Sequence, residues 1–153
     1  MVVLEIQILN SSHIPELIQW EKARMISQGM SEAEVEMLSW QSSWREESLE
    51  HYAQLGWSFV AADSSQVSGY LLAQPFLFMN GWTQSLWVDR LSFEIVDVGH
   101  QLFDTILRWA KTKHLQKVLA NSNDGEWASI TQKFPTSQEG HFLHFSTTKL
   151  SED

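Results

Sequence analysis

At 153 residues the chain is long enough for one domain with a core of its own, and its lack of cysteine excludes disulfides, thiolate zinc sites and a thiol nucleophile. Nineteen acidic against ten basic residues give a formal charge of −9, which argues against nucleic acid as a partner. No apolar run approaches the roughly eighteen residues of a membrane span, and Met1-Val2-Val3-Leu4-Glu5 lacks a basic leader, so no membrane is expected and the cytoplasm is the expected compartment.

The first element is a strand over 2–9, with Leu4, Ile6 and Ile8 alternating on one face. Asn10-Ser11-Ser12 stops it, Ser12 is placed to cap a helix, and Ile14, Leu17, Ile18, Ala23 and Met25 predict that helix over about 13–28. Ser31 and Glu34 have capping-box spacing and open a second helical segment reaching Gly56, with Ser42-Ser43 the natural place for a break. Its many glutamates can attract a cationic substrate, although acidic runs on helices are usually solvated faces.

Residues 57–62 and 68–75 are rich in strand formers and flank a turn composition at Asp63-Ser64-Ser65-Gln66, which predicts a hairpin. Asn80-Gly81 is a strong turn signal, and a further strand follows over 83–91. Leu102, Phe103, Ile106, Leu107 and Ala110 mark the apolar face of a helix over about 100–114. A short strand at 117–121, a short helix at 125–134 and an alternating strand at 141–147 complete an α+β chain with a mainly antiparallel sheet, read as a single domain over 1–153.

This order of elements resembles the GNAT superfamily of N-acetyltransferases over nearly the whole chain. Leu86-Trp87-Val88 stands where the family has a Leu-any-Val strand. Glu94-Ile95-Val96-Asp97-Val98-Gly99 stands where it has Gln/Arg-any-any-Gly-any-Gly/Ala. The resemblance implies acetyl-CoA as co-substrate, an amine on a small molecule or peptide as acceptor, and helices on both sides of the sheet. It implies that Trp87 and Val88 polarise the thioester carbonyl, and that backbone at Val98, Gly99, His100, Gln101 and Leu102 cradles the diphosphate at a helix start. Asn123 falls where the family often has a cofactor-binding asparagine. Two carboxylates, Glu94 and Asp97, replace residues that favour a phosphate, and the family's general-acid tyrosine has no counterpart in Ser129-Ile130-Thr131-Gln132-Lys133-Phe134.

Asp89, in phase with Trp87 and Leu91, and Glu94 just beyond are the candidate proton acceptors, each with the alternative of a surface charge or a cap. The six histidines show no helical ligand spacing, so no metal is expected. Neither a nucleophile elbow nor a Gly-Lys-Ser/Thr phosphate loop occurs, which excludes the common serine hydrolases and nucleotide hydrolases. Eight tryptophans suit core packing, and they also suit an apolar ligand pocket. A non-catalytic ligand-binding or protein-interaction module on the same fold is the alternative function.

Overall fold

The computed structural model describes residues 4–76, 85–121, 127–139 and 142–147. The strands are β1 Leu4–Ile8, β2 Phe59–Asp63, β3 Gln66–Phe76, β4 Ser85–Phe93, β5 Lys117–Asn121, β6 Ser137–Glu139 and β7 Phe142–Ser146. They form one seven-stranded sheet in the order β1-β2-β3-β4-β5-β7-β6. Every pairing is antiparallel except β4 with β5, whose parallel run needs a crossover. The helices are α1 Ile14–Ser27, α2 Glu32–Gln41, α3 Glu46–Leu55, α4 Val96–Thr112 and α5 Trp127–Lys133, and α4 lies within that crossover. The α+β architecture is the expected one, with helices on both faces of a mainly antiparallel sheet.

The two faces follow from the strand period of two. In β2 and β3, Phe59, Ala61, Leu71 and Ala73 pack beneath α4 and α5. The alternate residues Val60, Tyr70 and Leu72 pack beneath α1, α2 and α3. On the α4 face Phe103 meets Phe145, Phe134 and Trp127 edge-on, at centroid distances of 4.5, 5.2 and 5.3 Å. Such edge-to-face contacts add to the area each ring buries.

Local chemistry sets the helix ends. Asn10, rather than Ser12, is the cap before α1: its Oδ1 accepts from the Ser12 N–H at 2.9 Å, on a 3-10 turn leading into the helix. Ser31 Oγ caps α2 by accepting from the Glu34 N–H at 3.2 Å. The expected break is present, because Ser42 is extended and Trp44, fully buried, turns the chain into the core between α2 and α3. Gly56 ends α3 at φ 76°, a left-handed conformation that glycine adopts without strain.

Two boundaries differ from expectation. β6, three residues of a polar segment, carries too little pattern to be read as a strand. Helix α4 opens at Val96, about one turn earlier than its apolar stripe suggested, with the extended Ile95 as cap. The predicted Asn80-Gly81 turn lies outside the described residues.

Candidate active site

The candidate site lies at a fault in the sheet. Leu72 pairs with Arg90 and the next residue, Ala73, pairs with Val88, so Asp89 is an extra residue in β4: a β-bulge. A bulge turns neighbouring side chains onto one face and commonly lies beside functional sites. Here Val88 and Leu91 both point into the core under α4. Asp89 and Arg90 both reach the opposite, α1 face, where their polar contacts lie. The expected phase is therefore half right: Asp89 shares a face with Trp87, and Leu91 does not.

Beside the bulge β4 also leaves its other neighbour. The β4–β5 ladder ends at Val88 opposite Ala120, while β4 continues along β3 to Phe93. From Asp89 onward the β5-facing edge of β4 has no strand partner among the described residues. Ligands in sheets with parallel crossovers collect where strands part at their carboxyl ends, and a free edge offers them backbone hydrogen bonds. Trp87 and Val88, expected to polarise a carbonyl, sit where β4 is paired on both edges. The open edge begins one residue later.

Asp89 is half-buried. Trp87 Nε1 donates a long hydrogen bond of 3.4 Å to its Oδ1. Tyr52, on α3 and buried, lies within range of the Asp89 charge. Burial, and then the charge of Asp89, push the Tyr52 hydroxyl well above the ordinary tyrosine pKa.

Arg90 belongs to a buried polar network. Its Nε donates to the Tyr70 hydroxyl at 2.8 Å and its Nη2 to Glu21 Oε1. Glu21, fully buried on α1, also accepts from Arg24 Nη2 at 3.0 Å and from Ser92 Oγ at 2.8 Å. Burial opposes its charge, but the Arg24 hydrogen bond and the charges of Arg90 and Arg24 outweigh that and hold its pKa below the usual carboxylate range. Side chains of α1 and β3 thus lock β4 just past the bulge.

The expected phosphate loop takes a different form. The N–H groups of Val98 and Gly99 donate to the Ile95 carbonyl at 3.0 and 3.3 Å, so they lie inside the first turn of α4. His100, Gln101 and Leu102 follow within the helical ladder. The open helix end consists of the N–H groups of Val96 and Asp97. Gly99 serves packing, since a Cβ there would lie 2.7 Å from the Phe93 ring. Val98 and Leu102 are core residues. Gln101 Nε2 donates to Asp97 at 2.7 Å, and His100 Nε2 lies 3.1 Å from the Ser129 carbonyl oxygen. Glu94 is exposed and lines a groove of about 330 Å³ with Trp20, Arg24, Gln66 and Ile95. Asn123 lies outside the described residues.

Sequence reasoning missed Tyr52, Glu21 and the bulge. An acidic helix gives no sign that its tyrosine is buried in the α1-face core, and a bulge leaves no mark in an apolar pattern. Among the described residues no cluster of His, Asp and Glu could hold a metal ion, and no helix is long and apolar enough to cross a membrane.

The fold is one shared with solved N-acetyltransferases, GNAT family members among them. Among solved structures the chain is similar to the PaiA N-acetyltransferase of Thermoplasma acidophilum in complex with coenzyme A, with a TM-score of 0.70, 15% identity, and 94% and 99% of the two chains covered. It is similar to a GNAT family acetyltransferase of Brucella melitensis in complex with acetyl-CoA, at TM-score 0.65 and 16% identity, covering 94% of this chain and 88% of that one. It also resembles the N-acetylglutamate synthase of Neisseria gonorrhoeae complexed with coenzyme A and N-acetyl-glutamate, at TM-score 0.64 and 16% identity, covering 96% of this chain and 36% of that one. At these identities the likeness is one of fold. No protein-family model and no curated protein matches the sequence.

Proposed function

We propose that the chain is an acyl-CoA-dependent N-acyltransferase, with acetyl-CoA as co-substrate and an amine on a small molecule or peptide as acceptor. The observation that carries this reading is the coincidence of three features: the parting of β4 from β5, the bulge at Asp89, and the start of α4 at the same end of the sheet. Solved proteins of this fold hold coenzyme A or acetyl-CoA. The free β4 edge from Asp89 suits the amide-bearing arm of CoA, while Glu94 and Asp97 oppose its diphosphate.

In the reaction the acceptor nitrogen attacks the thioester carbonyl carbon, the C–N bond forms, the C–S bond breaks and the thiolate leaves. Asp89 takes the proton that the nitrogen must lose, directly or through water. Backbone N–H groups on the β4 edge beyond Val88 would donate to the carbonyl oxygen. Glu94 stands farther along, where it lines the groove, and is the weaker candidate base.

Binding and chemistry are tested separately. CoA at saturating concentration should raise the melting temperature and give a calorimetric isotherm. With a panel of primary amines and acetyl-CoA, Asp89→Asn should lower kcat by about 10²- to 10⁴-fold while leaving CoA binding intact. Absence of any CoA binding would replace the acyltransferase reading with the non-catalytic module, which the carboxylates at the start of α4 favour.

A further inference from the structure

A groove of about 200 Å³ lies between α1, α2 and the start of α3. Ile18 of α1, Trp40 of α2 and Trp44 of the connection to α3 form its apolar lining. None of its lining residues belongs to β4, β5 or α4, so it is separate from the candidate active site.

Both tryptophans lack what an indole normally has. Trp40 is 66% exposed, and among the described residues no ring packs on it and no cation lies over it. A bare indole face is the best aromatic surface for a cation. Trp44 is the opposite case: it is fully buried, yet its Nε1 has no acceptor among the described residues. Buried donors are nearly always paired, so an orphan that lines a groove points to an acceptor arriving from outside the chain.

The rim of the groove has a sign. Lys22 Nζ pairs with Glu36 at 2.9 Å and Arg45 Nε with Glu47 at 3.0 Å, so both cations that line the groove are engaged. Glu46, exposed and lining the same groove, has no ion-pair partner among the described residues. One negative charge is left over, in a chain whose formal charge is −9. Anions are repelled here, and a neutral apolar molecule leaves both Glu46 and the Trp40 face unused.

We propose that this groove binds a small organic cation: an ammonium on an apolar body the size of one aromatic side chain, bearing a carbonyl or hydroxyl oxygen. The body lies against Ile18 and Trp40. Glu46 and the Trp40 ring hold the ammonium, and the oxygen accepts from Trp44 Nε1. Apolar walls with a few placed polar groups are the usual form of a small-molecule site. The site does not depend on acyl transfer.

The probe is phenylalaninamide at about pH 6, below the range in which an α-amino group loses its proton. Two relatives each lack one feature: 3-phenylpropanamide has no ammonium, and 2-phenylethylammonium has no carbonyl. Binding is followed on the indole N–H signals of the eight tryptophans in ¹⁵N-labelled protein, assigned through their own backbones. Phenylalaninamide should shift the Trp40 and Trp44 signals along one saturating curve, with the Trp44 proton moving downfield as it gains an acceptor. The neutral amide should bind about tenfold more weakly, and 2-phenylethylammonium should bind without the downfield shift at Trp44. Salt raised from about 0.01 to about 0.15 M should weaken phenylalaninamide and leave the neutral amide unmoved. Glu46→Gln should weaken phenylalaninamide about threefold, and Trp40→Ala about fivefold. Both positions are exposed, so neither change threatens the fold. Absence of saturable shifts at Trp40 and Trp44, equal affinity for the charged and neutral amides, or a Trp44 proton that stays fixed overturns the proposal. The titration in unmodified protein is enough to decide, and neither its success nor its failure bears on CoA binding.

Discussion

Glu21 holds the α1 face together, because its one carboxylate accepts from Arg24, Arg90 and Ser92 at a fully buried position. Glu21→Gln removes the counter-charge of two buried or half-buried guanidiniums and should cost about 3–5 kcal/mol in urea denaturation. The pH dependence has a definite sign. Folding lowers the Glu21 pKa from its usual 4.5, so its contribution is complete above that pH and is lost as pH falls through the lower folded value. The gap between wild type and Glu21→Gln should narrow below about pH 4.5, and a gap that widens with acid would contradict the assignment. None of this was legible in sequence, where Glu21 and Arg24 look like an ordinary i,i+3 surface pair. Asp89 was legible as a candidate because its polar side chain interrupts an apolar strand. Its face was only partly so, since the reading tied it to Leu91 and the bulge broke that tie.

At the level of elements, periodicity located most helices and strands, and capping signals placed the break at Ser42 and the end at Gly56. The opening of α4 is misplaced because the apolar stripe begins at Leu102 and Gly99 reads as part of a phosphate-binding helix start, whereas close packing on Phe93 is what requires a glycine there. Nothing in an apolar stripe distinguishes these uses; the distance does. Gly99→Ala would gain up to about 1 kcal/mol of helix propensity. It would also set a methyl 2.7 Å from two Phe93 ring atoms and 2.9 Å from Cγ, near the root of that side chain, where the ring cannot swing clear. Overpacking of this kind costs about 1–3 kcal/mol, so the variant should be destabilised overall, with α4 pushed away from β4. Combining it with Phe93→Ala tests the cause. The alanine at 99 should then be neutral or stabilising, and equal destabilisation in both backgrounds would show that Phe93 is not the obstacle.

At the scale of the whole molecule the formal charge of −9 would meet, in the proposed co-substrate acetyl-CoA, a polyanion. Long-range repulsion between them is strongest at low ionic strength, where the Debye length is about 30 Å at 0.01 M against about 8 Å at 0.15 M. CoA binding should therefore tighten as salt rises across that range, the reverse of a site that attracts its anion with lysines and arginines. A cationic amine drawn by the acidic helices should show the opposite trend. Glu94 and Asp97 concentrate the effect near the open end of α4, where the exposed Val96 and Asp97 supply the free N–H groups. Since Asp97 lies in the first helical turn and accepts from Gln101, asparagine is a milder replacement than glycine, which would weaken the helix start. Glu94→Gln with Asp97→Asn should raise CoA affinity about tenfold, roughly 1.4 kcal/mol, and should flatten the salt dependence. Calorimetric titration of both proteins at the two ionic strengths supplies all four affinities. Tenfold gain with an unchanged salt slope would place the repulsion elsewhere on the surface. No gain at either salt would mean that the diphosphate does not approach this end of α4.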